Sequence, residues 1–418
     1  MRALRCCLAA LLLAGAASAA VGEVVVVDGV RHVRNGAAPA EGVVVYDLEE
    51  LWRAGDEDDD VFFGLVTRVA VDRNGDVYLF DPRQHCVQVY GPDGEHRRTL
   101  FREGEGPGEL GRLPRDMCLV GEEEVGVVQF GPRSVERVRR DGTPSAVTPL
   151  AHPGAARMAP VSAAWAGGRF LVAGEEAVDG EVPGTGARNT VLAAYDEAGA
   201  PIVRFLERRR EYNYHAMIFR EAEQFREFAW SFAVDAGGRV FALPDRERYA
   251  IHVFAPDGSL ERVIERDFTP RRRGEAEMAR ARRLAERRYR TAPFDVEYHF
   301  EETVAVVPWF LRGLQVAPDG DLWVRHARSG VDQPEGIVLT FDVFDAEGRF
   351  VRQAALAGEG DGLGDGFFLA GADRVIRVVG FVDAMRDHYG GGRGSIGEGD
   401  DIEEPEPIEV VCYRLRRR

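Results

Sequence analysis

The sequence contains no lysine: all 53 of its basic residues are arginine. Against them stand 70 acidic residues, leaving a formal charge of −17 over 418 residues. A chain this acidic neither tracks a phosphate backbone nor adheres to an anionic bilayer, which excludes nucleic acid and membrane surfaces as partners. Cysteine is scarce too. Of five, Cys6 and Cys7 lie at the extreme N-terminus, and Cys86, Cys118 and Cys412 are odd in number and match no metal-binding spacing. Each of these three falls in a strand-like stretch and reads as a buried free thiol, with a Cys86–Cys118 bridge left open. Past residue 20, no apolar run is long enough to cross a bilayer. The nine histidines form no His-x-x-x-His pair, and no Gly-x-Ser-x-Gly elbow is present. No cofactor, metal set or catalytic group is therefore assigned. The missing lysines, beside abundant Ala and Gly, match a coding bias and carry no functional meaning.

The first 20 residues have the build of a signal peptide. Arg2 and Arg5 precede an apolar run at 8–17, and Ala17-Ser18-Ala19 supplies small residues for cleavage. The run is too short to span a bilayer. Both early cysteines precede it, which argues against lipid anchoring. The expected product is a secreted or periplasmic chain from residue 21 to 418. Its charge, without Arg2 and Arg5, moves from −17 to −19.

One unit recurs along the rest. It is clearest at residues 69–81 with 86–94, at 232–243 with 250–258, and at 314–324 with 341–348. Alternating Val, Ile, Tyr and Phe mark strands. Asn74-Gly75, Gly237-Gly238 and Asp319-Gly320 mark a first hairpin, and Asp93-Gly94, Asp257-Gly258 and Glu347-Gly348 a second. A fourth strand follows each, so the unit is a four-stranded meander. Weaker copies fill 117–150 and 161–206, and 367–415 supplies three strands. The strand at 43–48 is expected to complete that last unit and close a ring, with a hairpin at 24–33 beside it. The expected fold is all-β: a six-bladed β-propeller of four-stranded blades, with a helical insertion at about 269–300 between blades four and five. Seven blades is the competing count.

These units resemble NHL-repeat propellers, in which an Asp-x-x-Gly-x-Val/Ile-Tyr-Val strand pair precedes an Arg-Ile/Val-Gln-Val-Phe strand. The linker Gly104-Glu-Gly106-Pro-Gly108-Glu-Leu110 and the strand Leu322-Trp323-Val324 are similar to those of bacterial exported six-bladed propellers. The resemblance implies a fold and says almost nothing of function.

In a four-stranded meander the first and third turns share one face. Every short Asp-Gly turn falls there. The long segments at 176–189, 207–227, 268–308, 327–336 and 383–407 fall on the other face, where binding groups are expected. Residues 275–290 read as a helix with Met278, Ala281, Leu284, Ala285 and Tyr289 on its packing side. Candidate ligand-binding residues are Arg83, His85, Arg133, Tyr214, His215, Trp309, Arg325 and His326. The acidic runs at 56–60 and 400–404 lack calcium-loop spacing and read as solvated loops. The expected role is that of a monomeric binding module for a protein, peptide or glycan. The alternative is a propeller enzyme, a lyase or lactonase with a metal in the central channel. Convergent His and carboxylate groups at the channel mouth would favour the enzyme, and a mixed aromatic and arginine groove the module.

Overall fold

A computed structural model describes residues 22–55, 61–150, 157–224, 227–290, 292–390 and 408–418. The expected signal peptide and both acidic runs lie outside these. The described chain is a propeller-like array of antiparallel meanders. The first sheet runs Arg68–Val71, Val77–Asp81, Cys86–Tyr90, His96–Leu100, and the second Arg112–Val120, Glu124–Gly131, Ser134–Arg139, Pro144–Pro149. The third runs Arg157–Ala166, Arg169–Asp179, Thr185–Tyr195, Pro201–Asn213. The fourth begins Phe232–Val234, Val240–Ala242, Ala250–Phe254, Leu260–Arg266.

Two departures from plain four-stranded units stand out. The hairpin Glu23–Val27 with Val30–Asn35 does not sit beside residues 43–48. It joins the outer edge of the fourth sheet, with Arg31 to Asn35 in parallel register with Arg262 to Arg266. Asn35 fixes it there, donating from Nδ2 to the carbonyls of Glu265 and Gly348 and accepting from the Phe350 N–H. Eight further strands form one sheet. Leu314–Val316, Leu322–Val324, Ile337–Phe344 and Phe350–Ala357 make one half, and Gly366–Leu369, Arg374–Val378 and Val410–Arg417 most of the other. The strand Val43–Ala54 lies between them. Val43 to Asp47 pair in parallel with Gln353 to Ala357, and Tyr46 to Ala54 pair antiparallel with Arg417 to Val410.

The turns show why the sequence repeats. Eight hairpins, beginning at Asp72, Gly91, Arg139, Asp196, Asp235, Ala255, Ala317 and Asp345, share one pattern. The first residue's N–H donates to the carbonyl four residues on, and its own carbonyl accepts from a glycine three residues on. That glycine has φ between 81° and 91°, in the left-handed region. These are three-residue loops closed by a glycine bulge, rather than the two-residue turns the Asn-Gly and Asp-Gly pairs suggest. Gly167-Gly168 and Asp28-Gly29 are two-residue turns.

Ring closure is read from how these turns pack. The third turn of each unit meets the outer strand of the unit before it. A side chain at Gly258 would strike Val203, one at Gly348 would strike Ile264, and one at Gly199 would meet the Pro149 carbonyl oxygen. In the first sheet the same turn meets Trp52, on the N-terminal strand, 2.5 Å from a Cβ at Gly94. Trp52 also stacks on Tyr90, with centroids 5.6 Å apart. Between inner strands, Gln315 bonds the backbone of Phe367 and Leu369. The main apolar core draws on these inner strands and runs from Val69 through Leu171, Phe232 and Ile376.

The third sheet corrects one expectation. Residues 176–179, 185–189 and 207–213 are not loops but the ends of strands 11 and 13 residues long, with only 180–184 left as a turn. The ladder runs on through these ends, from Glu176 opposite Asn189 to Asp179 opposite Gly186 and from Glu207 opposite Val191 to Asn213 opposite Thr185, although their residues do not alternate apolar and polar. No helix among the described residues is long and apolar enough to cross a membrane.

Candidate functional site

The insertions converge over one face. The longest leaves the fourth sheet after Arg266 and returns at Leu314. Its helix α1 spans Glu275–Tyr289. Glu277 anchors the start of α1, accepting from the Gly274 N–H at 3.0 Å and from both Arg271 terminal nitrogens at 2.8 and 2.6 Å. These bonds hold its carboxyl at about 2, against the opposing effect of burial. A short parallel pair, Met217–Arg220 with Val296–His299, knits this insertion to the one leaving the third sheet. Phe219 packs there against Tyr289, Tyr298 and Phe300. A second short helix, α2, spans Phe381–Met385.

Beneath α1 lies a cavity of about 450 Å³. Its apolar wall is Phe219, Trp230, Phe300, Trp309, Phe310 and Tyr389. Trp230 sits 5.3 Å from Trp309 and 4.7 Å from Tyr389 between centroids. Six arginines (246, 271, 273, 280, 325 and 386) line it, against Glu221 and Glu277. Arg273 grips Glu221 at 2.6 Å, with Arg246 3.6 Å from the same carboxylate. Burial opposes the Glu221 charge, but Arg273 outweighs it and keeps the carboxyl below its ordinary value. Arg280 and Arg386 share Asp383, and Arg386 also stacks over Phe310 at 4.0 Å. A chain of strongly negative charge thus concentrates cationic groups and rings in one place.

Of the eight candidate residues, the cavity gathers three: Trp309, Arg325 and His326. Arg325 is 1% exposed and holds the loop before Gly366, donating to the carbonyls of Asp365 and Gly362 at 2.7 and 2.8 Å. Burial pushes its guanidinium down to about 10. His326 faces a neighbour at each ring nitrogen. Nδ1 accepts from the Arg328 N–H at 3.1 Å, and Nε2 lies 3.2 Å from the buried Asp342 carboxylate. Tyr249 and Arg266 bind that same carboxylate. His326 is therefore a wall element that orders the rim.

The other five lie apart. Arg83 donates to the Gly64 carbonyl, and His85 takes a left-handed turn position at φ 55°. Arg133 lies over Phe130. Tyr214 stacks on Phe294 at 5.3 Å, and His215 bonds the Pro183 carbonyl. None of these lines the cavity. Sequence reasoning passed over Arg246, Arg271, Arg273, Arg386 and Tyr389. The arginines of α1 are the one signal the sequence offers there, and of them Arg280 lines the cavity. Among the described residues, no group of three or more His, Cys, Asp or Glu is placed to hold a metal ion.

No family model matches this chain, and no curated protein does. Solved structures do. A putative exported protein from Bacteroides fragilis is 10% identical, covers 92% of this chain and 99% of its own, and has a TM-score of 0.47. Regucalcin, a calcium-binding protein from Agrobacterium tumefaciens, is 10% identical over 90% of this chain and 97% of its own, at 0.40. Virginiamycin B lyase from Staphylococcus aureus is 11% identical over 78% and 84%, at 0.37. At these identities and scores the likeness says nothing of what this chain binds or does.

Proposed function

We propose that the chain is an exported six-bladed propeller of the NHL type, and that its insertion-bearing face is a binding module. In this reading the eight-stranded sheet counts as two blades, and the strand Val43–Ala54 closes the ring between them. Residues 1–20 are the signal that exports it. The ligand is a protein, peptide or glycan that presents carboxylate groups beside an apolar or sugar-ring surface. One observation carries this: aromatic rings and an excess of arginines converge on the cavity beneath α1. Guanidinium groups pair carboxylates side-on, and tryptophan faces stack on rings and aliphatic chains.

Trp230 and Trp309 make the cavity its own reporter. The test is a fluorescence titration of the full chain with an oligogalacturonide, a glutamate-rich peptide and a neutral cello-oligosaccharide. Saturable quenching by an acidic probe, lost in Trp309→Ala, is the expected result. Binding by the neutral sugar alone, or binding that survives Trp309→Ala unchanged, contradicts the reading.

A further inference from the structure

Below that cavity, on the axis, lies a second feature. Five of the inner strands are preceded or entered by a buried polar residue. These are Thr67 before the first sheet, Asp116 in the second, Ser162 in the third, Ser231 before the fourth and Arg312 before the fifth. Arg312 reaches across the ring, donating from Nη1 to Asp116 Oδ2 at 3.2 Å. The same oxygen accepts from the Ala163 N–H at 3.0 Å. Asp116 Oδ1 lies 3.8 Å from Arg68 Nε and makes no hydrogen bond.

The arrangement is unbalanced in two ways. Two guanidinium groups, Arg68 and Arg312, face a single carboxylate. And Arg312, 4% exposed, leaves both Nε and Nη2 without a hydrogen-bond partner. Those two nitrogens form the side-on edge of the guanidinium, the edge that grips two oxygens of one oxyanion. A buried donor left unmade costs stability, so such an edge calls for an occupant. The Ser231 hydroxyl, just before the adjoining inner strand Phe232–Val234, is also buried without a partner. Arg312 further holds a left-handed backbone at φ 46° and ψ 50°, a conformation non-glycine residues adopt where surroundings impose it. Arg68 keeps a quarter of its side chain exposed.

We propose that this axial ring binds a small monovalent oxyanion, a carboxylate or dihydrogen phosphate, held side-on by Arg312 with a hydrogen bond from Ser231. One negative charge balances the surplus cation. The site is distinct from the cavity beneath α1, and either stands without the other.

The test is thermal denaturation of the full chain near pH 6 in sodium acetate, sodium phosphate and sodium chloride at equal ionic strength, with calorimetric titration of the stabilising anion. Acetate points to a carboxylate ligand and phosphate to a phosphate one. We expect one of the two to raise Tm saturably above chloride, with one ion bound per chain. Arg312→Lys keeps the charge, removes the edge and abolishes that rise. Ser231→Ala leaves the Arg312–Asp116 pair intact and weakens binding about tenfold, the loss of one hydrogen bond to a charged group. Should Arg312→Lys fail to fold, Ser231→Ala decides. Equal Tm in all three salts, a rise that persists in Arg312→Lys, or unchanged affinity in Ser231→Ala overturns the proposal.

Discussion

The two faces of the ring are built by different rules. On one, eight connections repeat one three-residue loop, each closed by a glycine near φ 85°. On the other, no two connections are alike. They include an isolated helix, a parallel strand pair formed by two separate insertions, and arginines that reach into a common cavity. The first face is set by local turn chemistry and by the need to nest against the preceding unit. The second is set by contacts between segments far apart in the chain. A rigid, repetitive scaffold leaves the opposite face free to vary, which is where recognition belongs.

The largest effect is expected where the plain face closes the ring. Trp52→Ala removes the ring against which Gly94 and Tyr90 pack. A loss of about 4 kcal/mol, from the usual cost of large-to-small core changes, is expected in chemical denaturation. A loss under about 1 kcal/mol would mean that the N-terminal strand does not lock the ring. Next come two substitutions in identical turns. Gly320 has open space around it, so Gly320→Ala carries only backbone strain, about 1 kcal/mol. Gly199→Ala adds a clash with the Pro149 carbonyl and should cost about 3 kcal/mol. Equal losses would show that the turns do not nest on their neighbours.

Those turns were legible because their signal is local. Asn74-Gly75 or Asp257-Gly258 needs no distant partner to specify a left-handed glycine. α1 was legible for the same reason, from Ala281, Leu284 and Ala285 at helical spacing. The rest was not, because its causes are remote in sequence. Nothing near Asn35 says that its amide will bond Gly348. Nothing near Arg246 or Arg386 says that they will face one cavity. Tyr214 and His215 are candidate ligand-binding residues from the sequence. They pack instead within the insertion, against Phe294 and Pro183.

On the decorated face the expected effects on stability are smaller. Glu277 has its carboxyl depressed from 4.5 to about 2, chiefly by Arg271, so its anchoring of α1 is fully present above pH 4.5. It is lost as pH falls from there through about 2. Tryptophan emission from the cavity should shift over that window, and Arg271→Gln should move the shift toward pH 4.5. An identical profile in the variant would detach α1 from this pair. The smallest expected effect is chemical. Burial pushes Cys86 and Cys118 up to about 12 and Cys412 up to about 11, and all three are free. At pH 8 a disulfide reagent should label none of them until the chain is unfolded. Rapid labelling of the native protein would place a thiol at the surface.

The inequality of the two faces is tested most directly by one paired affinity measurement. Oligogalacturonide binding is compared between a cavity variant, Trp309→Ala with Arg246→Gln, and a plain-face variant, Arg97→Gln. Among the described residues, Arg97 pairs with Asp76 alone, near the Asp72 turn. The cavity variant is expected to weaken binding at least about tenfold, as loss of an aromatic and an arginine anchor does, while Arg97→Gln changes it less than about twofold. Equal weakening in both, or loss in Arg97→Gln alone, would contradict that inequality.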